Sequence, residues 1–175
     1  MKKNNWYVIT GAPHAGKTTL IEKLREMGYE VVLEAARIYI DEEMKKGKTL
    51  KEIRKNETDF QKKILEIKVE NEARESKEEI IFWDRGIPDS LAYYEMLGIA
   101  NDEFLQNKIK EAEYKKVFLL SAFPYKKDYA RTENKEQQKI IHNLLEKAYK
   151  SYGYNLIEIG DVGLEERVRI ILKNL

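Results

Sequence analysis

The stretch Gly11-Ala12-Pro13-His14-Ala15-Gly16-Lys17-Thr18 matches the phosphate-binding pattern G-x-x-x-x-G-K-[ST] at every fixed position. An apolar, β-branched run precedes it at residues 6–10, and a run with helical periodicity follows it at residues 19–27. Small residues let backbone N–H groups turn around phosphate oxygens, and the helix N-terminus adds partial positive charge. A chance glycine turn is the alternative, but the flanking strand and helix argue against it.

The individual side chains of this loop predict a site for ATP and Mg²⁺. Lys17 can reach the β- and γ-phosphates and act in catalysis, and the Thr18 hydroxyl can ligate Mg²⁺. Thr19, in the first helical turn, completes a predicted nucleotide-binding segment that begins at Gly11.

Composition excludes several classes of protein. The length of 175 residues predicts a single domain over residues 1–175. The chain has 32 Lys and Arg residues against 31 Asp and Glu residues, so its net charge creates no strong positive electrostatic field that would attract nucleic acid. Cysteine is absent, so the chain has no disulfide and no thiolate metal site, which fits the reducing cytoplasm where we expect the protein. No apolar run approaches the ~18 residues of a membrane span. The sequence leaves a homodimer open.

Strand-like runs alternate with helical stretches along the chain. They lie at residues 7–10, 30–33, 80–83, 116–120 and 155–159. This alternation predicts an α/β protein of the P-loop NTPase fold, with about five parallel strands flanked by helices. Ligands of such sheets bind at the carboxyl ends of the strands, so the residues that follow each strand are candidates for the site.

A long charged helical region is expected between the second and third strands. It runs from residue 38 to about residue 79, with breaks near Gly47 and at residues 56–58. Thr58 or Asp59 is expected to cap a helix that starts near Phe60. Its apolar positions predict an uneven inward stripe formed by Phe60, Ile64, Ile67 and Val69.

Charged residues follow the third and second strands. Asp84 closes an apolar run as a Walker B carboxylate does, which places it near the metal, although such residues are often turn residues. Arg85 either clamps a phosphate or pairs with a carboxylate. Glu34 can accept the proton of an attacking hydroxyl, or it merely favours the dipole of the following helix. Arg37 either holds Glu34 or binds the acceptor.

The segment after the fourth strand is basic, aromatic and rich in turn formers. Residues 121–133 suit a lid that brings cations over the γ-phosphate, with Arg131 as the first candidate and Lys127 and Lys126 next. An ordinary surface loop is the alternative. A long helix is expected to follow at residues 135–152.

Several motifs together resemble known kinases. Residues 84–93 (DRGIPDSLAY) are similar to a stretch of thymidylate kinases, and Asp84-Arg85 is similar to the Glu/Asp-Arg-Ser motif of deoxynucleoside kinases. The order of motifs resembles the AAA_28 family of P-loop ATPases and kinases, which includes a ribosylnicotinamide kinase domain. The matching parts are the phosphate loop, V32-x-E34-A35-A36-R37, F82-x-D84-R85-G86, R131-x-E133 and Y149-x-x-x-G153-Y154.

The resemblance implies a nucleoside-kinase-like fold with a helical lid. Glu34 then corresponds to the general base, and Asp84 with Arg85 to the metal and phosphate pair. Gln61 corresponds to a base-reading residue, and Gly86 stands where the deoxynucleoside kinase motif has Ser.

The sequence therefore predicts a Mg²⁺- and ATP-dependent phosphotransferase that acts on a small nucleoside or nucleotide acceptor. An NTPase, in which water replaces the acceptor, is the main alternative. A GTP-dependent switch is another, but residues 125–128 (YKKD) lack the Asn of the guanine-reading motif. The balanced charge argues for a small acceptor rather than a polynucleotide.

Overall fold

The computed structural model describes residues 4–121 and 135–175, which fold into a single sheet with helices on both faces. In chain order the elements are β1 (Trp6–Gly11), α1 (Lys17–Glu26), β2 (Glu30–Val32), α2 (Ala35–Lys45), α3 (Leu50–Ile53), α4 (Glu57–Arg74), β3 (Ile81–Asp84), α5 (Pro88–Leu97), α6 (Glu103–Glu111), β4 (Lys116–Leu120), α7 (Lys135–Ser151), β5 (Leu156–Ile159) and α8 (Leu164–Lys173).

The sheet is five-stranded and parallel, in the order β2-β3-β1-β4-β5, which confirms the predicted α/β fold of P-loop kinase type. Its register pairs Ile9 of β1 with Asp84 of β3, and Gly11 of β1 with Leu120 of β4. The carboxyl ends of the three central strands therefore meet at one edge, where the phosphate loop begins.

Alternation along the strands sends side chains into two separate cores. Trp6 and Val8 of β1 pack on one face with residues of α4 to α7, whereas Tyr7 and Ile9 pack on the other face with α1 and α8. Both faces of a parallel sheet are normally covered in this way, because the crossover helices lie on them. The two cores hold the phosphate loop between rigid elements.

The predicted breaks in the charged helical region are confirmed, but the predicted cap was wrong. The side chain of Asn56 caps α4 by accepting a hydrogen bond from the Asp59 amide at 3.2 Å, so the helix begins at Glu57. Asn and Asp are about equally favourable at the N-cap, so residue type alone does not rank Asn56 against Asp59.

The inward face of α4 also differs in part from the predicted stripe. Ile67 and Val69 are only half-buried, and two polar side chains, Gln61 and Lys68, are buried instead. These polar residues face the region where β3 ends, so the helix contributes more than core packing.

The predicted lid, with Arg131, Lys127 and Lys126, lies outside the described residues. The helix predicted to follow is present as α7, Lys135–Ser151. Within residues 4–121 and 135–175, no helix combines the length and the apolar character needed to cross a membrane.

Candidate nucleotide and acceptor site

The phosphate loop connects β1 to α1 through backbone conformations that favour glycine. Gly11 has a φ of 152°, and a Cβ there would lie 2.7 Å from the carbonyl oxygen of Leu120. Gly16, with a φ of 82°, caps α1 in the left-handed region. The pattern therefore requires its two fixed glycines for different reasons. Gly11 allows the close approach of the loop to β4, and Gly16 allows a tight entry into α1.

Lys17 folds back over this loop. Its ammonium donates to the carbonyl oxygens of Gly11 and Ala12, each at 3.0 Å, and the residue is only 6% exposed. Burial, together with the charge of Arg85, lowers the pKa of Lys17 to about 7. An incoming phosphate offers a better partner than two neutral carbonyls, because a hydrogen bond between charged groups is the stronger kind.

Asp84 lies beside the loop with an unused oxygen. Its Oδ1 is buried and has no hydrogen-bond partner within the described part of the chain. Burial and the charge of Glu34 raise the pKa of Asp84 to about 6. A buried carboxylate oxygen without a donor fits a hard cation, and Thr18 supplies a hydroxyl at the start of α1. Asp84 and Thr18 therefore fit a Mg²⁺ ion.

Arg85 pairs with carboxylates, which was one of its two predicted roles. Its Nε donates to Glu34 at 3.1 Å and its Nη1 to Asp89 at 3.1 Å. Nη1 also donates to the carbonyl oxygen of Gly11 at 3.1 Å, which ties β3 to the phosphate loop. Arg85 has a φ of 71°, an uncommon conformation for a residue other than glycine, and these contacts hold it there.

Glu34 occupies the N-cap position of α2 without a side-chain capping hydrogen bond, and its carboxylate is held by Arg85, not by Arg37 as one alternative had it. Burial alone would raise the pKa of Glu34, but the charges of Arg85 and Lys17 outweigh burial and lower it. Glu34 is therefore a carboxylate at neutral pH. Arg37 is exposed, and its guanidinium lies 3.5 Å from the Thr18 hydroxyl, so it points to the phosphate side of the site.

Two tyrosine hydroxyls hold the turn that follows β3. The Gly86 amide donates to Tyr149 at 3.2 Å, and the Ile87 amide donates to Tyr114 at 2.8 Å. Tyr149 in turn donates to Asp89, the carboxylate that Arg85 contacts. A Cβ on Gly86 would lie 2.8 Å from the Tyr149 hydroxyl and 2.9 Å from the Tyr114 ring, which explains why glycine stands here.

Replacing Gly86 by Ala is expected to destabilise the protein by about 1–3 kcal/mol, because the added methyl group overpacks a rigid site. Denaturant unfolding measures the change. Gly160→Ala is the matched control, since a Cβ at Gly160 meets nothing within 4 Å. Equal stability of the Gly86→Ala variant and the control would contradict the tight packing of this turn.

Many of the predicted site residues in the described chain line one cavity of about 700 Å³, the central cavity, but Gly11, Ala12, Ala15, Thr19 and Asp84 are not among its lining residues. Its walls come from the phosphate loop and the start of α1, from α2, α3 and α4, and from the turn after β3 and α5. It is lined by Pro13, His14, Gly16, Lys17, Thr18, Glu34, Ala36, Arg37, Ile40, Asp41, Leu50, Arg54, Phe60, Gln61, Ile64, Lys68, Arg85 and Tyr93. The structure therefore brings Glu34, Arg37, Gln61 and Arg85 together with the phosphate loop.

The sequence pattern of the AAA_28 family, described as an AAA domain, matches residues 6–167. The chain belongs to the AAA_28 family. No curated protein sequence matches it.

Solved structures with the same fold as this AAA_28 chain include nucleoside kinases. NadR in complex with NR superimposes with a TM-score of 0.71 at 15% identity, over 96% of this chain and 50% of NadR. The chain thus spans about half the length of NadR. Deoxyadenosine kinase from M. mycoides with bound dCTP has a TM-score of 0.65 at 15% identity, with 97% of each chain covered. YorR from Bacillus subtilis has a TM-score of 0.57 at 16% identity, covering 97% of this chain and 94% of YorR.

Three residues of this AAA_28 site were missed by the sequence analysis. Asp89 and Tyr149 were quoted in its motifs but were not assigned to the site, and Lys68 was not considered. Lys68 lies seven residues after Gln61, which places both on one face of α4. That spacing was the available signal, but lysine on a helix is usually at the surface.

Proposed function

We propose that the chain is a Mg²⁺- and ATP-dependent phosphotransferase whose acceptor is the hydroxyl of a small, nucleoside-like molecule. One observation carries the proposal: Lys17, Thr18 and Glu34 line the same cavity as Phe60 and Gln61. One cavity therefore contains the phosphate-binding loop, the Glu34 carboxylate and a wall that suits a planar ring. The fold shared with NadR in complex with NR and with deoxyadenosine kinase supports a nucleoside-like acceptor.

The ionised state of Glu34 favours a hydroxyl over a phosphate as the acceptor. Its lowered pKa makes it a carboxylate at neutral pH, able to take the proton of an attacking hydroxyl. A phosphate acceptor at the same place would bring a second anion against Glu34, whose cationic partner Arg85 is already shared with Asp89. Glu34 thus serves as general base, and Arg85 orients it.

The donor end of the cavity is assigned to ATP. Lys17 and the backbone amides of residues 11–19 bind its phosphates, with Arg37 beside Thr18. Asp84 and Thr18 would hold Mg²⁺, which would supply positive charge to neutralise the transferring phosphoryl group. Arg131 stays a predicted lid cation. Catalysis then rests mainly on positioning and on stabilisation of charge.

The size and character of the central cavity favour transfer over simple hydrolysis. An attacking water needs no apolar wall, whereas Ile40, Phe60, Ile64 and Tyr93 provide one across the cavity from the phosphate loop. An NTPase that uses Glu34 to orient water is the second candidate.

An acceptor screen with ATP labelled at the γ-phosphate separates the two candidates. We expect labelled phosphate on at least one nucleoside or ribosyl compound, at a rate well above the release of free phosphate. Release of free phosphate alone, unaffected by any nucleoside, nucleotide or ribosyl compound, would overturn the kinase proposal in favour of the NTPase.

A further inference from the structure

Helix α4 presents a lysine to the central cavity although lysine is rarely buried. Gln61, Ile64 and Lys68 fall at positions i, i+3 and i+7 of α4, and all three line the cavity. Lys68 is only 8% exposed. This wall of the cavity presents in turn the Gln61 amide, the aliphatic side chain of Ile64 and the Lys68 ammonium. Such a wall suits a flat molecule with an apolar face and polar edges.

The Lys68 ammonium is fixed on two sides by the turn after β3. Its Nζ donates to the carbonyl oxygen of Gly86 at 3.0 Å and to the Ser90 hydroxyl at 3.1 Å. An ammonium has three N–H donors. Its hydrogen bonds to the part of the chain that the structure describes are these two, so one N–H is left for another partner.

The buried carboxylate of Asp89 does not accept a hydrogen bond from that third N–H. Asp89 already accepts hydrogen bonds from Thr10 at 2.6 Å, from Arg85 at 3.1 Å and from the Gly86 amide at 3.0 Å, and also from Tyr149. Burial lowers the pKa of Lys68, which reflects the cost of holding this charge away from water. A buried donor without a partner is unfavourable, so a ligand that satisfies it gains affinity.

We propose that Lys68 makes the enzyme select acceptors whose base presents a carbonyl oxygen to it, and discriminate against bases that present an amino group there. This inference rests on the proposed function. An ammonium can only donate hydrogen bonds. An oxo group on the base can accept one from its third N–H, whereas an amino group would place a second donor against that N–H. Gln61 cannot impose that choice, because its side-chain amide offers either an oxygen or an NH₂ after a flip.

The charges around Lys68 favour a neutral carbonyl over a carboxylate. The cluster holds the basic residues Lys17, Lys68 and Arg85 and the acidic residues Glu34, Glu72, Asp84 and Asp89, so the acids already outnumber the bases. A carboxylate on the acceptor would add an anion without a counter-charge in a site largely shielded from water, and that is costly. The neutral oxygen of an oxo or carboxamide group is therefore the favoured ligand.

Matched nucleoside pairs test the inference on the wild-type chain. Inosine and adenosine differ in a 6-oxo against a 6-amino group, and uridine and cytidine in a 4-oxo against a 4-amino group. Each pair is assayed for kcat/KM as ribonucleoside and as 2′-deoxyribonucleoside. We expect the oxo member to be preferred about 10- to 100-fold in at least one pair, the range expected for a hydrogen bond to a charged donor. Equal use of both members, or preference for the amino member, overturns the inference.

Two substitutions assign the preference to the Lys68 ammonium. Lys68→Met removes the donor and should abolish the preference, mainly by lowering kcat/KM of the oxo member. Lys68→Gln can also accept, so it should move the preference towards the amino member. Lys63→Met, on the exposed face of the same helix, should keep the wild-type ratio. If a folded Lys68→Met variant keeps the wild-type ratio of kcat/KM between the oxo and amino members, the inference is overturned.

The outcomes separate this inference from the proposed function. Phosphorylation of both members of each pair at equal kcat/KM contradicts the role of Lys68 and leaves the kinase proposal standing. Absence of transfer to every nucleoside, while ATP is still hydrolysed, overturns both. Should neither variant of Lys68 fold in thermal unfolding tests, the wild-type ratio alone decides.

Discussion

Replacing Glu34 by Gln is expected to slow phosphoryl transfer by about 10²–10⁴-fold, which is the usual contribution of a positioned general base. The amide cannot take the proton of the attacking hydroxyl, although it keeps the shape of the side chain and can still accept a hydrogen bond from Arg85. Slow background hydrolysis of ATP should change far less, since water enters the site without that carboxylate. Transfer and hydrolysis are measured together with labelled ATP.

The control for this variant is Glu42→Gln, an exposed position on the same helix α2. It should leave both rates unchanged. A deep loss of hydrolysis in the Glu34→Gln variant, equal to any loss of transfer, contradicts the assignment of Glu34 to an acceptor hydroxyl.

Replacing Asp84 by Asn is expected to abolish turnover and to weaken Mg²⁺-dependent ATP binding at least about tenfold, because a neutral amide holds a hydrated cation poorly. The fold should survive. Burial raises the pKa of Asp84 to about 6, so the native state disfavours its charge at pH 7, and the neutral side chain removes that penalty.

Calorimetric titration of ATP with and without Mg²⁺ measures the loss, and thermal unfolding at pH 7 checks the fold. Glu113→Gln, at an exposed position before the start of β4, is the control and should bind ATP normally. Full activity of the Asp84→Asn variant would leave Asp84 as a turn residue only.

The elements that local patterns encode were predicted well from the sequence. The phosphate loop and β4, Lys116–Leu120, came out as expected, and the other strands differ by one residue at one or both ends. The second strand stops at Val32 because Leu33 is already 39% exposed beyond the paired residues. Apolar runs and glycine positions determine such elements through short-range physics, so the sequence alone suffices for them.

Partners that meet only through the tertiary fold could not be predicted. The choice of Arg85 between a phosphate and a carboxylate depends on Glu34, which is 51 residues away in sequence. Asp89 acquires its role through Tyr149, at a separation of 60 residues. No local pattern encodes these pairings, so the sequence analysis found the residues at the strand ends but not the network that orients them.

The central claim is that an acceptor hydroxyl lies between Glu34 and the γ-phosphate of ATP in one cavity. A crystal structure with a non-hydrolysable ATP analogue and the best acceptor of the screen measures this directly. We predict a hydroxyl oxygen about 2.6–3.2 Å from a Glu34 carboxylate oxygen, in line with the γ-phosphorus. An acceptor bound outside the central cavity, or a water held by Glu34 with the acceptor elsewhere, would contradict the account.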